Sequence, residues 1–316
     1  MPTAASCASN AERNHPCQAL PCSPAKIATN VHSLNADLHC HSTVSDGTLS
    51  PEQVAQRAKD HGVALWSLTD HDEVAGQHRA AAAARAIGLD YVAGVEISVT
   101  FAGQTIHIVG LGIDPDDTTL RDGLASTRHG RSRRAQAIGE SLAAVGIEGA
   151  LEGAQALADN PEMVTRTHFA RWLVATGVCR DTHEVFRKYL VRGKPGYVAQ
   201  QWATLRDAVH WITGAGGLAV IAHPGRYRVS ANEEWALLEQ FKAHGGRALE
   251  VQTASHGDAE VAKYGALARE HGLLASRGSD FHSPGESRIE LGALPTLPSG
   301  LTPVWSELQS RIGRAA

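Results

Sequence analysis

The sequence predicts an α/β fold: a barrel, open or distorted, built from strand–helix units and interrupted by an all-helical insertion. Three observations lead there. Short apolar runs alternate with longer helical stretches from Asn35 to Ile113 and again from Leu205 to Ser276, the rhythm of parallel βαβ units. Residues 118–196, between these blocks, carry only helical patterning. Six or seven such units in one chain suit a barrel; a doubly wound sheet is the alternative. No GxGxxG or GxxxxGK[ST] run sits at a strand-to-helix turn, so nucleotide-cofactor and P-loop readings have no support.

Taken in order, Ala36–His41 is the first expected strand. Ser50–Gly62 opens on Ser-Pro-Glu, with Ser50 as cap and Pro51 in the first turn, a helix start. Ala64–Thr69 is the next strand and the Ala-rich Glu73–Ile87 the next helix. Tyr91–Val99 and Thr105–Ile113 follow as strands around a turn at Ala102-Gly103. Helices are then expected over Thr118–Val145, Gly149–Asp159, His168–Thr176 and Asp181–Leu190. Leu205–Thr213, Glu233–His244 and Asp258–His271 read as helices alternating with strands Leu218–Ala222, Ala248–Val251 and Leu274–Ser276, and a last helix is expected over Val304–Ile312. This divides the chain into a loose extension (1–34), a barrel (35–117 and 197–316) and a helical insertion (118–196).

The 316 residues are 43% hydrophobic and 20% charged, enough for a sizeable core and unlike collagen-like, mucin-like or disordered chains. No apolar run approaches the roughly 20 residues that cross a bilayer, so no membrane span is expected. A formal charge of −4 excludes a duplex nucleic-acid binder for the chain as a whole. The charge is uneven: Arg121–Gly196 holds 12 Lys plus Arg against 8 Asp plus Glu, and the remainder 17 against 25. An acidic body that holds cations and a basic insert that meets an anion would show this split. The five cysteines (Cys7, Cys17, Cys22, Cys40, Cys179) form no CxxC pair, which argues against a disulfide scaffold or a thiolate zinc site. Residues 1–34 lack the basic start and apolar stretch of a secretory signal, and a cytoplasmic protein is expected. The 17 histidines exceed what a core needs and point to metal chemistry.

The strongest signal is Asp37-Leu38-His39-Cys40-His41. On a strand, Asp37, His39 and His41 share one face, and Leu38 and Cys40 the other. Asp46 follows in the loop. Later strands end in Asp70-His71-Asp72, in Gly94-Val95-Glu96, in His223-Pro224 and in Ser279-Asp280-Phe281-His282, and one holds His107. Sites in α/β folds sit at the carboxyl ends of strands, and here six strands each deliver His, Asp or Glu. Nine imidazole and carboxylate ligands exceed one ion's coordination and suit two or three ions with a bridging carboxylate. Such clusters activate water at neutral pH and neutralise phosphate oxygens. Ligands without thiolate fit manganese, zinc or iron.

These motifs, spanning about Asn35 to Pro284, resemble those of the polymerase and histidinol phosphatase (PHP) family of metal-dependent phosphoesterases, and within it the bacterial nucleoside bisphosphate phosphatases and 5′-to-3′ exoribonucleases. The resemblance implies a distorted (β/α)7 barrel and a trinuclear site, often manganese. One ion would take His39, His41, Glu96 and Asp280, a second Glu96, His107 and His223, and the third Asp46, His71 and His282. Asp46 stands where other members place His, which shifts preference toward manganese or magnesium. His39, His41, Glu96, His223 and Asp280 would carry the catalysis.

The insert supplies cations. Arg128-His129-Gly130-Arg131-Ser132-Arg133-Arg134 and Thr165-Arg166-Thr167-His168 read as helix starts, where guanidinium forks and backbone amides suit phosphate. The resemblance places phosphate-binding arginines here, so Arg134 and Arg166 are the expected clamp. Ala135 would add a backbone amide, and His71 and Asp280 would also contact substrate. Arg192 and Lys194, near Gly193 and Gly196, read first as a hinge between insertion and barrel and only second as a weaker anion-site candidate. Asp37, Asp70 and Asp72 are expected to orient ligand histidines, or, for the latter two, to cap a helix. Glu250 is a candidate partner of a ligand histidine and His256 a candidate substrate contact. Cys40 is read as core, and His61, His78, His183, His210, His244 and His271 as surface.

The expected reaction is removal of the 3′-phosphate from a nucleoside 3′,5′-bisphosphate, with the 5′-phosphate clamped by the arginines; the substrate is a small nucleotide, and no obligate protein partner is inferred. Alternatives are a 5′-3′ exoribonuclease on short RNA, an amidohydrolase-type C–N hydrolase, and a non-catalytic metal module. The absence of Lys between Lys59 and Lys188 argues against the carboxylated lysine that bridges metals in many C–N hydrolases.

Overall fold

The computed structural model describes residues 34–313; the expected N-terminal extension and Cys7, Cys17 and Cys22 lie outside them. Strands β1 (Ala36–Asp37), β2 (Leu65–Trp66) and β3 (Asp90–Tyr91) form one parallel sheet in that order. A second sheet runs β4 (Gly94–Phe101), β5 (Gln104–Leu111), β6 (Leu218–Ile221), β7 (Ala248–Thr253) and β8 (Leu274–Gly278). The sheets meet at two places. Leu38 N donates to Arg277 O and Cys40 bridges Phe281, joining β1 to β8, while His71 bridges Glu96, joining the chain beyond β2 to β4.

Helices α1 (Pro51–Asp60) and α2 (Gln77–Ala86) cover the first sheet, and α7 (Leu205–Gly214), α8 (Ala231–Ala243) and α9 (Asp258–Glu270) belong with the second. Between β5 and α7 lie α3 (Thr118–Ala143), α4 (Ala150–Ala156), α5 (Arg166–Ala175), α6 (Thr182–Val185) and a π-helical turn over Phe186–Leu190. This helical segment has its own apolar cluster around Ile138, Leu142, Phe169 and Leu173. The main core lies on β4–β8, with Ile97, Ile108, Val220 and Leu249 among its members. None of the described helices is long and apolar enough to cross a membrane.

Local chemistry explains the starts. Ser50 caps α1 by a reciprocal capping box with Gln53, Pro51 filling the first turn. Asp117 caps α3 and Ser230 caps α8. Four expectations are corrected. The stretch 91–99 is not one strand: it leaves the first sheet after Tyr91 and enters the second at Gly94. The β4–β5 pair is antiparallel, because the two-residue link Ala102-Gly103 makes a hairpin and cannot carry a parallel crossover, and β5–β6 is antiparallel as well. Helix α2 starts at Gln77, since the Glu73 carboxylate accepts from Val74 N and Ala75 N and holds that segment in a turn. The last expected helix is only a 3-10 turn over Val304–Ser306. Beyond it the chain extends so that Gly313 and Tyr91 exchange both backbone hydrogen bonds.

Candidate metal centre

Glu96, on β4, is the hub. Its Oε1 lies 3.2 Å from His39 Nε2, 2.8 Å from His107 Nδ1 and 3.0 Å from His223 Nε2. Its Oε2 lies 2.7 Å from His71 Nδ1 and 3.4 Å from His41 Nε2. Asp280 Oδ1 stands 3.2 Å from His41 Nε2, and Asp46 Oδ1 stands 3.4 Å from His282 Nε2. The structure thus brings all nine residues expected to be ligands into one cluster.

Its groupings differ in detail from those the resemblance implied. His39, His41 and Asp280 converge; Glu96 divides between a triad with His39 and His223 and another with His71 and His107; and His41 joins Asp46, His71 and His282. The donor set fits divalent cations. Two buried carboxylates, Asp46 and Glu96, and the partly buried Asp280 face imidazoles, and charge of this density demands counter-charge. His39 Nε2, Asp46 Oδ1 and Glu96 Oε2 are fully buried without a hydrogen-bond partner, and each faces the shared centre.

The backbone is shaped for this. Asp72, His223 and Asp280 all have positive φ (46°, 27° and 55°), a conformation that costs about 1–3 kcal/mol per residue and collects at functional sites. Gly278 lets β8 approach the ligand strand, since a Cβ there would sit 2.2 Å from the His39 Cβ. A register irregularity at Glu250 and Gln252 in β7 re-aims side chains, as bulges beside sites do. Glu250 Oε1 accepts from His39 Nδ1 at 2.8 Å and Oε2 from His223 N at 2.6 Å. A proton on His39 Nδ1 leaves the Nε2 lone pair facing the centre, the atom that could hold an ion.

Supporting carboxylates correct the sequence reading. Asp37 touches no ligand histidine; it accepts from Ser279 N, Ser279 Oγ and Gly292 N and so fixes the loop bearing Asp280. Asp70 accepts from Ser42 N, Ser42 Oγ and Ser45 Oγ, fixing the loop that carries Asp46. Asp72 accepts from Ser98 N at 2.7 Å and pairs with Arg131, so neither Asp70 nor Asp72 orients a histidine or caps a helix. His256 donates from Nδ1 to Val251 O and accepts at Nε2 from Gly225 N; both nitrogens are engaged within the protein. Cys40 is core, its Sγ accepting from Trp66 Nε1.

Beside the ligands a cavity is lined by Arg131, Arg134, Arg166 and Arg226 together with Asp46, His71, His107, Asp280 and His282. Arg166 is the first residue of α5, capped by Thr165, as expected. Arg134 is not at a helix start: α3 runs unbroken from Thr118, and Ala135 lies buried in its interior with its amide in the helical ladder. Arg134 donates to Val198 O and lies over Trp202, and Arg166 donates to Leu190 O. Burial, then Arg166 and Arg131, push the Arg134 guanidinium down to about 9. Burial and Arg226 push Arg166 down too, so an anion here relieves repulsion between cations. Arg192 and Lys194 sit on an exposed turn. Sequence reasoning missed Arg131, Trp202 and Arg226, which donates to Asp280 Oδ2 at 2.7 Å. The sole signal for Arg226 was its place three residues after His223.

Protonation sets a measurable dependence. Burial lowers His282, but Asp46 and Asp280 outweigh it and raise it to about 9. Burial, His282 and His71 push His41 down to about 3. At neutral pH, before an ion binds, His282 is therefore charged and His41 is not. A cation taken by His282 must displace its proton, and the raised His39 and His71 add to the release, so affinity should rise at least tenfold per pH unit up to about pH 9. Calorimetric titration of manganese in buffers of different ionisation heat reads the released proton, and an affinity flat between about pH 6 and 9 would contradict this assignment.

The PHP domain model matches residues 37–254. A 3′,5′-nucleoside bisphosphate phosphatase of Chromobacterium violaceum is 51% identical over 282 residues, 89% of this chain and 99% of the relative. The 5′-3′ exoribonuclease Rnm of Escherichia coli is 45% identical over 85% of this chain and 92% of its own. A solved Chromobacterium violaceum structure, described as an amidohydrolase with bound sulfate and no metal, superposes with a TM-score of 0.87 at 51% identity, covering 89% of this chain and 98% of that one.

Proposed function

Since the chain belongs to the PHP domain family, a family of metal-dependent phosphoesterases, we propose that it removes the 3′-phosphate from nucleoside 3′,5′-bisphosphates, yielding nucleoside 5′-monophosphate and phosphate. The observation that carries this reading is one cavity joining the Glu96 cluster to Arg134 and Arg166, neither of which has a carboxylate partner among the described residues. The phosphatase relative, aligned over nearly both full lengths, supports it.

In this reading His39, His41, Asp46, His71, Glu96, His107, His223, Asp280 and His282 hold two or three divalent ions, manganese ahead of zinc, iron or magnesium. Bound ions supply charge neutralisation and make water a usable nucleophile at neutral pH. Water adds to phosphorus, the P–O3′ bond breaks, and the departing oxygen ends as a hydroxyl. Arg134 and Arg166 hold the second phosphate, and Arg226 stands beside the reacting one through Asp280. The division into barrel (35–117, 197–316) and insertion (118–196) belongs to the same proposal, as does the distorted (β/α)7 barrel, which the β1–β8 and β2–β4 bridges support. We read the protein as cytoplasmic.

Short RNA is the second reading, favoured by the exoribonuclease relative. A phosphate-release screen with each divalent metal separates the two, run over nucleoside bisphosphates, monophosphates, histidinol phosphate and end-labelled oligonucleotides. Bisphosphates should be fastest, with activity lost on chelation and restored by manganese. Faster shortening of RNA would make that the main activity, and no release under any metal would remove the enzymatic reading.

A further inference from the structure

We propose that a second cavity beside the metal centre receives the nucleobase, with Phe186 as its stacking platform; this rests on the bisphosphatase reading above. The inner cavity, at about 120 Å³, is lined by candidate ligands and arginines. The neighbouring one, about 500 Å³, opens toward His183, Ser255 and Arg288. Both are lined by Thr167, Phe186, Arg226, Asp280 and His282. A nucleotide whose two phosphates occupy the inner space projects its third large substituent, the base, past this shared wall.

Phe186 is the one phenyl ring in that wall. It is half-buried, its base packed on the apolar cluster of the helical segment, and it begins the π-helical turn Phe186–Leu190. Turns of this kind recur at functional sites because the extra residue displaces a side chain from the regular helical path. Phosphate and ribose gain little from a phenyl surface, whereas every base has a π-face. The other aromatic ring of the inner cavity, Trp202, is already covered by Arg131 at 4.8 Å and Arg134 at 5.3 Å. The Arg166 guanidinium lies 5.6 Å from the Phe186 ring centre, so one ring fixes the distance between the phosphate clamp and the base. Stacking of this type tolerates any base, and purines, with more area, should bind best.

The test compares a nucleoside 3′,5′-bisphosphate with a ribose 3,5-bisphosphate lacking the base, in the metal-loaded full chain. Phe186→Leu should raise KM for the nucleoside substrate about 5- to 100-fold, the range of base–aromatic stacking, and leave the base-free substrate within about twofold. Phe186→Trp should restore binding. Equal loss on both substrates would mean that the ring serves only Arg166, and no loss on either would mean that the base lies elsewhere; both overturn the proposal. If the unaltered enzyme released phosphate from neither substrate, the bisphosphatase reading itself would fall.

Discussion

Glu96→Gln is expected to cut phosphate release by about a thousandfold or more and to strip most of the metal from the purified protein. Among the described residues, five imidazole nitrogens lie within 3.4 Å of the Glu96 carboxylate. The amide keeps the volume but loses the charge, and its NH2 presents hydrogens where lone pairs are needed. Several kcal/mol of charge stabilisation disappears, and each 1.36 kcal/mol is a factor of ten. Elemental analysis reads the metal, an assay of released phosphate reads the rate, and a thermal melt separates both from unfolding. Full metal content with undiminished turnover would remove Glu96 from the centre of the site.

The second large effect falls on affinity. Arg166→Ala should raise KM for a nucleoside 3′,5′-bisphosphate by about 10- to 100-fold, the loss of one or two charge-assisted hydrogen bonds. KM for a 3′-monophosphate should change little, because its only phosphate is proposed to sit at the Glu96 cluster and away from Arg166. Arg166 is suited to this role: it opens α5, it is half-buried with its basicity lowered by desolvation and by Arg226, and its guanidinium donates to the Leu190 carbonyl. Steady-state kinetics on the two substrates decides the point. Equal losses on both would place Arg166 at the reacting phosphate or in the fold.

Much of this site was legible because its chemistry is local. His39 and His41 follow β1 at alternate positions, and His71, His223 and Asp280 lie just beyond other strands, so strand-end reasoning gathers them; Glu96, read as closing a strand, stands instead near the start of β4. The start of α1 was legible for the same reason, since Ser50 acts on an amide three residues away, whereas the starts expected near Glu73 and Arg128 were not. What stayed hidden depends on distant partners. Arg131 is paired to Asp72 across 59 residues, and Asp37 binds Ser279 across 242; no spacing in the chain announces either. The break between β3 and β4 carries no turn signal before Gly94, because the chain passes between sheets in extended form. The end of the chain read as a helix by pattern, but its pairing with Tyr91 prevailed over propensity.

Thr165 Oγ1 donates to Asp46 Oδ2 at 2.9 Å, and Arg171 reaches the Asp46 carbonyl oxygen. The first carboxylate after the opening strand is thus aimed by a residue from the helical segment, next to Arg166. The two parts are therefore poor candidates for modular exchange: a chimera taking this strand-bearing portion with a foreign helical segment would inherit the ligands but leave one of them unsteered. Substitutions on either side of that contact are constrained to change together.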